Sequence, residues 1–239
     1  MIYTCDNQRH LVCYPYSIKN LHEMANKFYI KRCWFHKDHY DIPIYKIIEI
    51  SEKCFIVSSK DIVKIIKKEK EFTLLEKAEA YAITSHGIIN HFYDDKPYRY
   101  HLQKTVDIAM KFIHLIPEFE RDNVIGGCWN HDNIEDTRQN WNNIKNFLNE
   151  KIANYSFFLA NNRGKDRYER ANENYYICIK NYEYALFIKL CDRIANVIYS
   201  KNLGSSMFKK YKNDEDFYEN LYDGRYIEMW NNLTKLLQE

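Results

Sequence analysis

The residues best equipped for chemistry lie in one stretch, Cys128-Trp129-Asn130-His131-Asp132-Asn133-Ile134-Glu135-Asp136. On a helix, His131 and Glu135 stand four apart on one edge, and Asp132 and Asp136 repeat that offset on the adjacent edge. One strip then holds an imidazole and three carboxylates, entered from the apolar run Val124-Ile125-Gly126-Gly127-Cys128-Trp129. Crowded carboxylates repel, and burial makes them costlier, unless a cation sits among them. A metal ion removes that difficulty, and imidazole with carboxylate suits Mn, Fe, Co or Zn. A solvated acidic helix face with a capping histidine accounts for these residues equally well.

A strip with one His and one Asp needs ligands from elsewhere to hold an ion. His101 falls at the first turn of its own helix, next to Gln103 and Lys104 and off the apolar face. Asp192 follows Ala185-Leu186-Phe187-Ile188-Lys189-Leu190-Cys191, an apolar run that belongs deep in a core. A carboxylate buried there must be paired or bound to a metal, and Arg193 is the competing partner. A second group, His36, His39 and Asp41, sits in a polar loop that could bind a metal or phosphate, since strand ends carry ligand sites in α/β sheets. For that loop the residues themselves favour an ordinary surface turn.

The elements that position these groups fall into two parts. Residues 1–70 alternate short strands (Ile2 to Cys5, Leu11 to Cys13, Cys54 to Val57) with helices capped by Ser17 and by Ser58 or Ser59. That alternation predicts a small, largely parallel sheet covered by helices. Lys67 to Glu71 is a charged link, and residues 71–239 read as helical almost throughout, with Pro97 at the first position of the helix carrying His101. The expectation is an α+β two-part chain: a small α/β N-terminal domain, then an all-α domain.

Composition narrows the function classes. The 239 residues are 46% hydrophobic, ample for a core, and the formal net charge is only +2. No global field recruits nucleic acid or an anionic membrane, although a nucleotide needs only a local basic cluster. The seven cysteines are scattered, with no CxxC pair, and read as reduced thiols. No apolar run spans a bilayer and no signal peptide is evident, so a cytoplasmic protein is expected. The Tyr-rich helices could supply a homo-oligomer surface or could equally be core.

Taken in order, His101, His131-Asp132 and Asp192 resemble the metal-dependent phosphohydrolases of the HD-domain family. The likeness is closest to the SpoT-type hydrolases of guanosine polyphosphates, (p)ppGpp, and their animal homologues. Pro97-Tyr98-Arg99-Tyr100-His101 matches that branch's Pro-Tyr-x-x-His motif, and His131 to Asp136 matches His-Asp-x-x-Glu-Asp. Ile188-Lys189-Leu190-Cys191-Asp192-Arg193-Ile194-Ala195-Asn196 matches its third signature, an apolar-Lys-Leu-x-Asp-Arg-x-x-Asn run. The resemblance spans roughly Ala80 to Tyr211 and implies an all-α domain of HD type. It departs from the branch at Asn90-His91-Phe92-Tyr93, where an Arg-Lys pair grips the guanine, and at Met207, where an Arg precedes Tyr211. The first 70 residues resemble a small uncharacterised bacterial and phage domain through Asn20-Leu21-His22, Trp34-Phe35-His36 and His39-Tyr40-Asp41-Ile42-Pro43.

The resemblance implies one divalent ion, Mn first and otherwise Zn, Co or Fe, held by His101, His131, Asp132 and Asp192. Glu135 and Asp136 would orient or deprotonate a water. Lys165, Arg167 and Arg170 form the nearest basic cluster for further phosphates, or a solvated charged turn. Tyr98, Asn196 and Tyr211 complete the expected substrate contacts. The implied reaction removes the 3′-pyrophosphate of a (p)ppGpp-like alarmone, in a bacterial or phage-infected cell. NADPH, another signalling nucleotide, or a catalytically silent nucleotide sensor are the alternatives. Nucleic-acid processing is the weakest class, for want of an aromatic-basic stripe.

Overall fold

A computed structural model of the chain describes residues 1–161, 169 and 171–238. It forms two compact units, Met1–Tyr100 with Thr137–Gln139, and His101–Asp136 with Asn140–Glu239.

The first unit is built on a five-stranded sheet of β1 (Ile2–Cys5), β2 (His10–Tyr14), β3 (Phe35–His36), β4 (His39–Asp41) and β5 (Phe55–Ile56), in the order β3-β4-β2-β1-β5. Only the β1–β5 pairing is parallel, so the sheet is not the largely parallel one expected from the sequence. For two of the three antiparallel pairings the reason is loop length. Residues 6–9 and residues 37–38 are hairpin connections, and chains that short can join only antiparallel neighbours. Arg9 (φ 75°) and Lys37 (φ 55°) take the left-handed conformation that tight reversals require.

Helices α1 (Ile18–Lys27), α3 (Ser59–Ile66) and α4 (Leu74–Gly87) pack on this sheet, and a short helix, α2 (Ile47–Ser51), lies between β4 and β5 in the chain. Ser17 and Ser58 cap α1 and α3 by accepting from the Asn20 and Asp61 backbone N–H groups. α1 buries Leu21, Met24 and Ala25, the face its apolar spacing marks out. α4 starts at a capping box between Thr73 and Glu76 and packs on β1 and β5, where its Thr84 hydroxyl accepts from the Tyr3 backbone N–H at 3.1 Å. Because α4 buries itself in this way, the first unit runs on to residue 100, past the boundary at residue 70 drawn from the charged link. Two short strands, β6 (Phe92–Tyr93) and β7 (Lys96–Pro97), form a hairpin. Pro97 is therefore a strand residue rather than the start of a helix, a position it tolerates because an edge needs no N–H from it.

Helix α5 (Arg99–Phe112) follows, its residues from His101 onward belonging to the second unit. That unit continues with α6 (Arg121–Asn130), α7 (Asn133–Asp136), α8 (Trp141–Phe147), α9 (Glu150–Leu159), α10 (Glu173–Asn181), α11 (Ala185–Asn202), α12 (Ser206–Lys212), α13 (Glu215–Leu221) and α14 (Ile227–Gln238). The chain is thus α+β in two parts, with a small α/β region before a helical one. Helix α11 buries most of its first half, Ala185 to Ile188 with Leu190 and Cys191, and is packed by α6, α9, α10, α12 and α14. Gly127 lets α6 approach it closely: a Cβ there would stand 2.7 Å from the Tyr155 ring and 2.6 Å from Ile188 Cδ1. Among the described residues, no helix is long and apolar enough to cross a membrane. The seven cysteines are free thiols, five of them buried.

Candidate metal centre

Three separate elements deliver the candidate ligands. His101 lies in the first turn of α5 and is 3% exposed. His131 caps α6, Asp132 follows it, and Asp192 lies mid-way along the buried α11. The stretch from His131 to Asp136 is not the single helical strip the spacing suggested. α6 ends at Asn130, and α7 starts afresh at Asn133. The break is stabilised by side chains: Asn130 Nδ2 donates to the Gly126 carbonyl at 2.9 Å, and Asn133 Nδ2 donates to Asn130 Oδ1 at 2.6 Å. The Ser156 hydroxyl then donates to the Asn130 carbonyl at 2.7 Å. Local side-chain bonds of this kind compete with the helical ladder. The helical offset survives in part, because the Asp136 N–H still donates to the Asp132 carbonyl at 2.9 Å.

His131 Nδ1 lies 2.8 Å from the Cys128 carbonyl, which can only accept. Nδ1 is therefore protonated, so the neutral imidazole carries its lone pair on Nε2. Such a fixed tautomer is what a ligating histidine needs. His131 Nε2 and His101 Nε2 face each other at 3.4 Å. Asp132 Oδ2 stands 2.9 Å from His131 Nε2 and 3.5 Å from His101 Nε2. Asp192 Oδ1 stands 3.3 Å from His101 Nε2 and 3.8 Å from His131 Nε2. Ligand atoms roughly 2.0–2.2 Å from one ion are separated from each other by roughly 3–3.5 Å in tetrahedral or octahedral arrangements. The separations around the two Nε2 atoms, 2.9–3.8 Å, are close to that spacing. His101, His131 and Asp192 form a group that could hold a metal ion, with Asp132 against both imidazoles.

Without an ion the same groups act as a buried charge cluster. Burial disfavours the charged form of both histidines, but Asp132 and Asp192 outweigh it and raise both, His131 strongly. Burial would raise Asp132 and Asp192 as well, yet the imidazoles, and for Asp192 first of all Lys189, hold both well below the usual carboxylate range.

Arg193, the competing partner for Asp192, is engaged elsewhere. Its guanidinium donates to Asp214 Oδ2 at 2.7 Å and lies 3.8 Å from the Phe217 ring centre. Lys189 takes its place, one turn earlier on α11, donating to Asp192 Oδ2 at 2.9 Å. Asn196, expected to meet substrate, donates to Asp192 Oδ1 at 2.5 Å, and it also lines a cavity of about 190 Å³ beside Asp192. Tyr211, the other residue expected to contact substrate in this unit, also lines that cavity, together with Lys189, Arg193, Tyr175, Tyr176 and Phe217. The sequence reading missed Lys189 and Arg193 as cavity groups. The signal was there: both fall within three residues of Asp192 on one helix.

The remaining expected residues are placed as follows. Glu135 is exposed and accepts from the backbone N–H of Asn161 at 3.0 Å and from its Nδ2 at 2.8 Å. Asp136 is exposed at the end of α7. Tyr98 belongs to the first unit, where its ring stacks on His91 at 3.8 Å and on His86 at 4.4 Å between centroids. Lys165, Arg167 and Arg170 lie outside the described residues.

A family model described as a protein of unknown function, DUF4031, matches residues 7–69. No curated protein matches the chain. The matched span lies wholly in the first unit and contains none of His101, His131, Asp132 and Asp192.

Proposed function

We propose that the second unit is a metal-dependent phosphohydrolase acting on a nucleotide, with removal of the 3′-pyrophosphate of a (p)ppGpp-like alarmone as the leading reaction. The observation carrying this reading is the convergence of two imidazoles and two carboxylates from three separate elements: the Nε2 atoms of His101 and His131 lie 2.9–3.8 Å from each other and from an oxygen of Asp132 and of Asp192. The likeness of the three sequence motifs to the HD-domain hydrolases supports the choice of reaction. The donor set fits a borderline divalent ion, Mn in the first instance. When bound, that ion would neutralise phosphate charge and acidify a water.

The chain's own groups do the rest. Nδ1 of His131, tied to the Cys128 carbonyl, keeps the imidazole in its ligating tautomer. Lys189 and Arg193 give the cavity beside Asp192 two cations for phosphate oxygens, and its tyrosines offer faces for a base or ribose. Glu135 and Asp136 are the nearest carboxylates along the chain to take the proton of the attacking water. As the water oxygen bonds to phosphorus, the bond from that phosphorus to the 3′ oxygen breaks; pyrophosphate departs with the water oxygen, and the 3′ oxygen takes up the proton that the carboxylate received.

The two hydrogen bonds from Asn161 to Glu135 favour a second reading, in which Glu135 orders the structure and the unit is a nucleotide sensor. Assaying the full chain with Mn against (p)ppGpp, NADPH and other signalling nucleotides tests the proposal. Turnover of one of them, lost in Glu135→Gln with Asp136→Asn while metal binding persists, is the expected result. Binding without turnover in the wild type would give the sensor reading. Neither binding nor turnover would end both.

A further inference from the structure

The first unit carries a second constellation of metal-ligating side chains, assembled by sheet register. His10 opens β2 and is the direct cross-strand partner of Asp41 on β4. His39 lies two residues before Asp41, and strand side chains alternate, so His39 and Asp41 share a face while Tyr40 between them turns into the core at 1% exposure. Directly paired residues on antiparallel strands also project to the same side. The three are therefore neighbours on one face without any loop having to place them. One ligand atom from each of His10, His39 and Asp41 can be chosen so that all three lie within 4.8 Å of one another. His39 Nε2 and Asp41 Oδ1 are 3.6 Å apart, and the His10 and His39 rings meet edge to face at 5.0 Å.

An independent feature separates this group from a chance cluster. Each imidazole is held through Nδ1 by its own carboxylate. Asp6 Oδ2 accepts from His10 Nδ1 at 2.8 Å, and Asp38 Oδ1 accepts from His39 Nδ1 at 2.7 Å. Asp6 is itself fixed: its side chain is 1% exposed, and its other oxygen accepts from the backbone N–H groups of Gln8 and His10 at 3.0 and 2.9 Å. A carboxylate on one ring nitrogen leaves Nε2 as the basic, oriented ligand, the arrangement found behind ligating histidines. His10 and His39 both have it. The side chains of His10, His39 and Asp41 are 33%, 23% and 23% exposed, so an ion could enter from solvent and keep open positions.

We infer that His10, His39 and Asp41 form a second metal site, of the two-imidazole, one-carboxylate type, for a zinc-like divalent ion. His36 stands beside it, its Nε2 3.3 Å from Asp41 Oδ2, as an orienting partner for that carboxylate. The three ligand atoms need to close by less than about 1.5 Å to reach the spacing of a zinc shell. The site stands on the strands of the first unit alone and is independent of the reaction proposed for the second.

The test is zinc uptake by the full chain, counted by elemental analysis after gel filtration, in wild type, His39→Ala and Asp6→Asn. The inference predicts one fewer zinc ion per chain in His39→Ala than in wild type. In Asp6→Asn the same ion should bind 10- to 100-fold more weakly, the usual effect of losing an orienting partner. In case His39→Ala fails to fold, zinc added to the wild type should shift the Nε2 resonances of His10 and His39 in nitrogen-15 spectra. If only the second-unit centre binds, His131→Ala will abolish uptake, His39→Ala will not alter it, and the His10 and His39 resonances will stay in place. That result overturns the inference. A single ion lost in His39→Ala and retained in His131→Ala upholds it, even if the second unit binds no metal.

Discussion

Nε2 of His101 stands 3.4 Å from Nε2 of His131, with a carboxylate oxygen of Asp192 within 3.8 Å of both. Two imidazoles facing each other through the same nitrogen do not stabilise one another unless a proton or a cation lies between them. Asp132 and Asp192 raise both imidazoles toward the protonated form, so protons compete with a metal for that role. Several properties of the protein follow from this choice between protons and metal.

The balance shifts with pH. The folded-state values of His101 and His131 are raised above the ordinary 6.5 or so of an unfolded histidine. Their contribution to stability is thus fully present below about pH 6.5 and is lost as pH rises through the raised values. Asp132 and Asp192 are lowered, so theirs is present above about pH 4 and is lost as pH falls through the depressed values. A metal must displace the histidine protons, so its binding strengthens with pH. The melting temperature of the metal-free chain should decline from about pH 6.5 toward pH 9, and the gain on adding saturating Mn should grow over that range. Calorimetry at a series of pH values measures both, and a gain independent of pH would count against proton–metal competition.

Lys189 depends on Asp192. Its side chain is 17% exposed, and the carboxylate at 2.9 Å is what keeps it charged there. Asp192→Asn should destabilise the metal-free chain by about 3 kcal/mol, the usual effect of orphaning one member of a buried pair. The double variant with Lys189→Met should recover much of that loss. Urea denaturation of the two variants decides it, and equal stability of the single variant and wild type would show that the pair contributes little.

Gly127 is a packing requirement rather than a flexible point. A methyl group there would meet the Tyr155 ring at 2.7 Å, and a ring cannot fold away as a chain end can. Gly127→Ala should cost about 1–3 kcal/mol through overpacking, despite alanine's better helix propensity. Because α6 delivers His131, the same variant should weaken metal binding. A variant as stable as wild type would show that α6 can shift at no cost.

The sequence made the elements of the centre legible because each of its signals is local. The apolar run before Asp192 identified a buried carboxylate, and Ser17 and Ser58 marked helix starts that the structure shows. What sequence did not reveal depends on contacts between distant segments. The helix break at His131 is set by side chains of Asn130, Asn133 and Ser156, which periodicity treats as neutral positions. The antiparallel character of the sheet lay in the length of two hairpins, while strand–helix alternation pointed to a parallel one. Arg193 next to Asp192 looked like its natural partner, but adjacent residues on a helix project in different directions, and Lys189 three residues back is the true neighbour. His10 went unnoticed beside His39 and Asp41 because only strand pairing brings it to them.

Crystals of the full chain soaked in Mn and measured at the Mn absorption edge test the central claim most directly. The account predicts an anomalous peak within about 2.0–2.3 Å of His101 Nε2, His131 Nε2 and a carboxylate oxygen from each of Asp132 and Asp192. No peak there at saturating Mn, with the two imidazoles still bridged to Asp132 and Asp192 as in the metal-free chain, would contradict it.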